Sequence, residues 1–184
     1  MQTEPLPAPR YPAKIAGAAD AVARIRALPR PLVFTNGVFD LLHRGHVTYL
    51  EQAKGLGASL AVAVNSDASS ARLGKGPGRP LNPLADRMAV LAALASVDLV
   101  APFDADTPLD LIVACMPDVL VKGGDYDVTT TVGAREVIAN GGRFVAIPFL
   151  HQRSTTVLVC KRSGERRCYN HLPAAPSSTS LPAC

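Results

Sequence analysis

Apolar residues gather along the chain into five short runs: Leu32 to Thr35, Leu60 to Asn65, Leu99 to Ala101, Val119 to Val121 and Phe144 to Ile147. Each is rich in Val, Leu or Ile and does not alternate with polar residues, which is how a strand buried on both faces reads. Between the runs lie helical stretches with their own punctuation. An Ala-rich amphipathic segment from about Ala16 to Ala27 comes before the first run. A helix beginning near Gly45 is stopped by Gly55 and Gly57, and another through Val137 is stopped by Gly141-Gly142. Asn82-Pro83 offers an N-cap and a first-turn proline to Leu84 to Ala95, and Thr107-Pro108 does the same for Leu109 to Cys115. Strand alternating with helix predicts an α/β fold: a single Rossmann-like, doubly wound parallel sheet of five strands with right-handed crossovers.

The ends differ from this body. Residues 1–12 are Pro-rich and polar and read as a flexible arm, 13–160 as the domain, and 161–184, a Lys/Arg cluster followed by a Pro, Ser and Ala-rich tail, as disordered. At 184 residues the body can bury a full core without staples. Cys115, Cys160, Cys168 and Cys184 stand far apart, with neither metal-ligand spacing nor a disulfide framework, so no protein-held metal is expected. The N-terminus has no apolar signal region and no run is long enough to span a bilayer, which predicts a soluble cytoplasmic protein without membrane contact. The net charge of +4 comes without Trp and without a Lys/Arg block suited to a nucleic-acid backbone, so phosphorylated small molecules are the expected partners.

Ligands of an open α/β sheet lie beyond the carboxyl ends of its strands. The unusual polar groups collect there: Asn36 to His46 after the first run, Asn65-Ser66-Asp67 after the second, Asp104 after the third, Lys122 to Tyr126 after the fourth, and Arg153 to Thr156 after the last. Neither a G-x-x-x-x-G-K-[ST] loop nor a G-x-G-x-x-G turn is present to hold a phosphate. His43 and His46, about 60° apart on a helical wheel, share a face at a helix start and can meet one anion. Gly45 between them removes a Cβ, and the helix end adds N–H groups and a positive dipole. A bare H-x-G-H is otherwise a pair of ordinary histidines. Here a strand and Asn36-Gly37-x-Phe39-Asp40 lead into it.

The run Thr35 to His46, with Lys122-Gly123-Gly124-Asp125-Tyr126 and Ser154-Thr155-Thr156, resembles the H-x-G-H cytidylyltransferase-like nucleotidyltransferases, and among them the bacterial heptose 1-phosphate adenylyltransferases. The likeness runs from about Leu32 to Thr156. It implies in-line attack of a sugar 1-phosphate on the α-phosphorus of ATP, with pyrophosphate leaving and Mg²⁺ arriving on the nucleotide. A phosphomonoester is mostly dianionic at neutral pH, so no general base is required. The resemblance also implies a homodimer and a separate sugar kinase upstream.

On this reading His43, His46 and Lys75 are catalytic, with Lys75 clamping phosphate from a glycine-punctuated loop that also holds Arg72 and Arg79. Asn36, Gly37, Phe39, Gly45, Arg87, Gly123, Gly124, Asp125, Ser154, Thr155 and Thr156 bind nucleotide, while Asp40, Asp67, Arg79 and Lys122 bind the acceptor. The alternatives stay open at this point. The loop can be an exposed basic linker, Arg87 can pair with Asp86 or another acid on the surface, and Asp40 can orient a histidine, meet a metal, touch the sugar phosphate or simply open the helix. A cytidylyltransferase acting on glycerol or ethanolamine phosphate would use the same phosphate machinery, and a non-catalytic nucleotide-binding module would keep the fold.

Overall fold

The computed structural model describes residues 6–74, 78–124 and 126–148. The apolar runs become β1 (Leu32–Gly37), β2 (Ser59–Asn65), β3 (Leu99–Phe103), β4 (Val119–Gly123) and β5 (Arg143–Ile147), all parallel and ordered β3-β2-β1-β4-β5. Helices α1 (Ala21–Arg26), α2 (Arg44–Lys54), α3 (Asp67–Arg72), α4 (Leu84–Ala92), α5 (Leu109–Cys115) and α6 (Ala134–Ala139) connect them. The absence of alternation in the central strands has a direct cause, since both faces of the sheet are covered. Val33, Val62, Val64 and Val121 pack with Leu50 and Ala53 of α2 and Met88 and Leu91 of α4. Leu32, Phe34, Ala61 and Leu120 face the other way, onto Ile25 of α1, Ile112 of α5 and Val137 of α6.

Local readings needed correction in four places. β5 lies at the sheet edge and is half-exposed along most of its length, where full burial was expected. The first helix starts only at Ala21, because Ile15 and Ala16 dock on β3 instead, Ile15 bridging Val100 and the Ala16 amide donating to the Val100 carbonyl at 2.8 Å. α3 has no counterpart in the sequence reading. Its N-cap Ser66 accepts from the Ser69 amide at 2.9 Å, a signal present in Asn65-Ser66-Asp67 but read there as rim chemistry. Neither Asn82 nor Thr107 caps its helix: prolines 83 and 108 occupy those positions without a side-chain cap bond, and the Asn82 amide reaches the Asp40 carbonyl at 2.7 Å.

Two aspartates staple the amino edge of the sheet in the same way. Asp118, before β4, accepts the Leu32 amide at 2.6 Å and returns its own amide to the Leu32 carbonyl at 3.0 Å. Asp98, before β3, does the same to Leu60 at 2.7 and 3.0 Å. Arg30 and Lys54 complete the pairs at 2.9 and 2.6 Å. The Asp118 bonds fix the register of β1 with β4, which otherwise rests on two rungs, Val33↔Val119 and Phe34↔Leu120. Asp118→Ala is expected to lower stability by about 1–2 kcal/mol, discounted for partial exposure, and to shift the urea midpoint without changing the slope. Asp118→Asn, which keeps an acceptor, should lose less.

Candidate active site

Strand order reverses between β1 and β4, and there the sheet opens. The two strands pair only through Val33↔Val119 and Phe34↔Leu120, although β1 continues to Gly37 and β4 to Gly123. The crevice beyond them is the ligand position of a doubly wound sheet. Side chains take over where the ladder stops. The Tyr49 hydroxyl, on α2, meets Thr35 Oγ1 and donates to the Val121 carbonyl at 3.3 Å. One rung further out, Lys122 Nζ donates to Asn36 Oδ1 and lies 3.5 Å from the Asn36 carbonyl. Asn36 and Lys122, assigned to different ligands from sequence, therefore sit together across the crevice. Burial pushes the Tyr49 hydroxyl well above the ordinary tyrosine range, so it is neutral at any working pH.

The mouth of α2 stands over this opening. His43 is its N-cap in extended conformation, no side chain caps the helix, and no acidic residue lies in its first turn. The His43 and His46 rings stack at 3.9 Å with 22° between planes, and Phe39 packs edge-on against His46 at 5.5 Å. Gly45 is buried between them. The turn into this helix is tight enough to put Phe39 at φ +49°, a left-handed conformation rare for an aromatic residue. A Cβ on Gly37 would come within 3.1 Å of the Phe39 ring, so glycine there lets the ring fold back toward the histidines. Paired imidazoles, a helix dipole and N–H groups without a side-chain cap form a cradle of the kind an anion requires.

Behind the cradle the carboxylates are taken by arginines. Asp40, buried, accepts the Leu81 and Asn82 amides through Oδ1 at 2.8 and 3.0 Å, and its Oδ2 pairs with Arg79 at 3.1 Å. Asp67 pairs with Arg87 at 2.7 Å and accepts the Leu84 amide at 3.2 Å. Arg87 is fully buried, so its acid is Asp67 rather than Asp86 and the pair is not an ordinary surface one; it also donates to the carbonyls of Val38, Asn65 and Asn82 at 2.6, 2.9 and 3.0 Å. Arg72 turns to Asp106 at 2.6 Å and to the Asp104 carbonyl, and Asp104 in turn accepts the Ser66 hydroxyl. Both described cations of the glycine-punctuated loop are thus tied down at its two ends. Gly123 ends β4, and the Gly124 amide donates to the Ile147 carbonyl at 2.8 Å with φ at 122°. Lys75, Asp125, Ser154, Thr155 and Thr156 lie outside the described residues.

Among the described residues no three His, Cys, Asp or Glu side chains stand close enough to hold a metal ion, and none of the helices is long and apolar enough to cross a membrane. Sequence reasoning missed Tyr49 and misread Asn82. Tyr49 follows His46 by three positions, a spacing that places it on the same helix face and could have flagged it.

A doubly wound sheet carrying H-x-G-H at its switch point defines a nucleotidyltransferase, and the chain belongs to the cytidylyltransferase-like family, whose model matches residues 34–158. The particular relatives narrow this further. It is 59% identical over 154 residues to D-beta-D-heptose 1-phosphate adenylyltransferase of Bordetella bronchiseptica, covering 83% of this chain and 95% of that protein. It is 57% identical to the bifunctional protein HldE of Alkalilimnicola ehrlichii, of which it spans only 29%. In structure it is similar to a lipopolysaccharide core biosynthesis protein from Thermoplasma volcanium, with TM-score 0.55, 26% identity, and coverage of 66% of this chain and 98% of that one.

Proposed function

We infer that the chain transfers AMP from ATP to D-glycero-β-D-manno-heptose 1-phosphate, giving ADP-heptose and pyrophosphate for lipopolysaccharide core precursor synthesis. The observation that carries this is near-complete coverage of a heptose 1-phosphate adenylyltransferase at 59% identity, joined to a histidine pair seated at the switch point of the sheet. The acceptor phosphate is its own nucleophile, so the protein has to align two polyanions and neutralise them. His43 and His46 donate to the triphosphate where charge gathers as the α-phosphorus is attacked. The α2 amides and dipole add to this, and Lys122, held beside Asn36 at the crevice, is placed to attract an incoming phosphate. Mg²⁺ fits as a group brought by the nucleotide, since Asp40 and Asp67 are already committed to arginines; it would supply further charge neutralisation. Lys75, as a phosphate clamp, and the hydroxyls of Ser154, Thr155 and Thr156 belong to the same reading as further phosphate-binding groups. Pairing into a homodimer and supply of the acceptor by a sugar kinase belong to the same reading.

The test is pyrophosphate release from ATP or CTP with heptose 1-phosphate, glycerol 3-phosphate or ethanolamine phosphate as acceptor. ATP with heptose 1-phosphate should exceed every other pair. Turnover confined to CTP, or to a non-sugar acceptor, would overturn the assignment.

A further inference from the structure

We propose that Tyr49 is a positioning residue for the histidine pair, its hydroxyl fixing where α2 sits along the opening between β1 and β4. This rests on the adenylyltransferase reading only in that His43 and His46 are taken as the phosphate-binding pair. α2 is held to the sheet by the non-directional contacts of Leu50 and Ala53 and, at the end far from the histidines, by the Lys54–Asp98 pair at 2.6 Å, whose long side chain tolerates movement of the helix mouth. The Tyr49 hydroxyl is directional. It sits where the β1–β4 ladder has just ended at Phe34↔Leu120 and supplies the missing rung, meeting Thr35 on one strand and the Val121 carbonyl on the other.

All three partners lie in the interior, Tyr49 only 4% exposed and Thr35 and Val121 not at all. Buried polar groups at the end of a ladder have to be satisfied, so the hydroxyl holds the strands at their separation as well as holding the helix. Three residues along the same helix face is His46, in contact with His43 and Phe39. A slip of α2 therefore moves both imidazoles relative to the crevice, and a displacement of about an ångström at a reacting phosphate is enough to slow turnover severely.

Tyr49→Phe keeps the ring and its packing and removes only the rung; Thr35→Val removes the partner instead. In the full chain, Tyr49→Phe is expected to lower kcat about tenfold while the KM for ATP stays within about twofold, the split of an interaction that matters in the transition state. The His43 and His46 imidazole NMR signals, assigned by comparison with single alanine variants, should shift in the same protein without any ligand. Thr35→Val should act in the same direction, and the double variant should be no worse than the stronger single, since both remove one rung. A Tyr49→Phe protein with unchanged kcat and unmoved imidazole signals overturns the proposal, as does a lowered Tm with turnover per folded molecule intact. The imidazole signals need no acceptor. If they shift while the parent protein makes no nucleotide-sugar, the positioning role stands and the assigned reaction fails.

Discussion

Replacing His43 or His46 by alanine is expected to lower kcat about a hundredfold to a thousandfold, the ~3–4 kcal/mol carried by one donor aimed at transition-state charge. The fold should survive either change, because both rings are only half-buried and neither belongs to the apolar core around α2. The two effects should not add. The rings stack at 3.9 Å, so each orients the other, and the double variant should fall little below the weaker single. Glutamine, which keeps an N–H donor, should restore part of the loss at whichever position acts mainly by hydrogen bonding. Single-turnover rates at saturating ATP measure this directly. A double alanine variant that still forms nucleotide-sugar at the parent rate would remove the histidine pair from the mechanism.

The histidine pair and the sheet were legible in the sequence for the same reason: both are local signals. β1 to β4 announce themselves as unbroken apolar runs because two layers of helices cover them, and H-x-G-H sits within four residues of one helix end. What was hidden depends on contacts between distant positions. Asp40 read as a ligand or a helix opener, yet its carboxylate holds Leu81 and Asn82, forty-one and forty-two positions away. Asn82 has the composition of a cap and the geometry of a brace, because the Asp40 carbonyl competes successfully for its amide. Tyr49 went unread, since nothing local says that β1 and β4 part just beneath it. Arg87 shows the limit most clearly. A cation early in a helix opposes the dipole and calls for an anionic partner, which Asp67 supplies, but that carboxylate and the three carbonyls beside it come from segments no local pattern joins.

Arg87→Met is accordingly expected to be strongly destabilising, at about 3–5 kcal/mol. Methionine fills much of the volume, so the loss is polar. The carbonyls of Val38, Asn65 and Asn82 would stay buried without the guanidinium that joins the turn after β1, the end of β2 and the entry to α4. A fall in Tm of about 10 °C follows for a domain of this size. Arg87→Lys should recover only a fraction, because an ammonium is a point charge and cannot reach four acceptors spread over a planar fork. Asp67→Asn should be mild, within about 1 kcal/mol, since that side chain is 50% exposed and water can replace the pair. This asymmetry separates a brace from a ligand-binding arginine. A guanidinium that touched the nucleotide would, when removed, raise the KM for ATP and leave the melting temperature alone. One that holds the turn carrying Phe39 and Asp40 lowers the melting temperature first, and lowers kcat in the folded remainder because the histidines beyond that turn lose their seat. Equal melting temperatures for Arg87→Met and the parent, with weakened ATP binding, would return Arg87 to the nucleotide site.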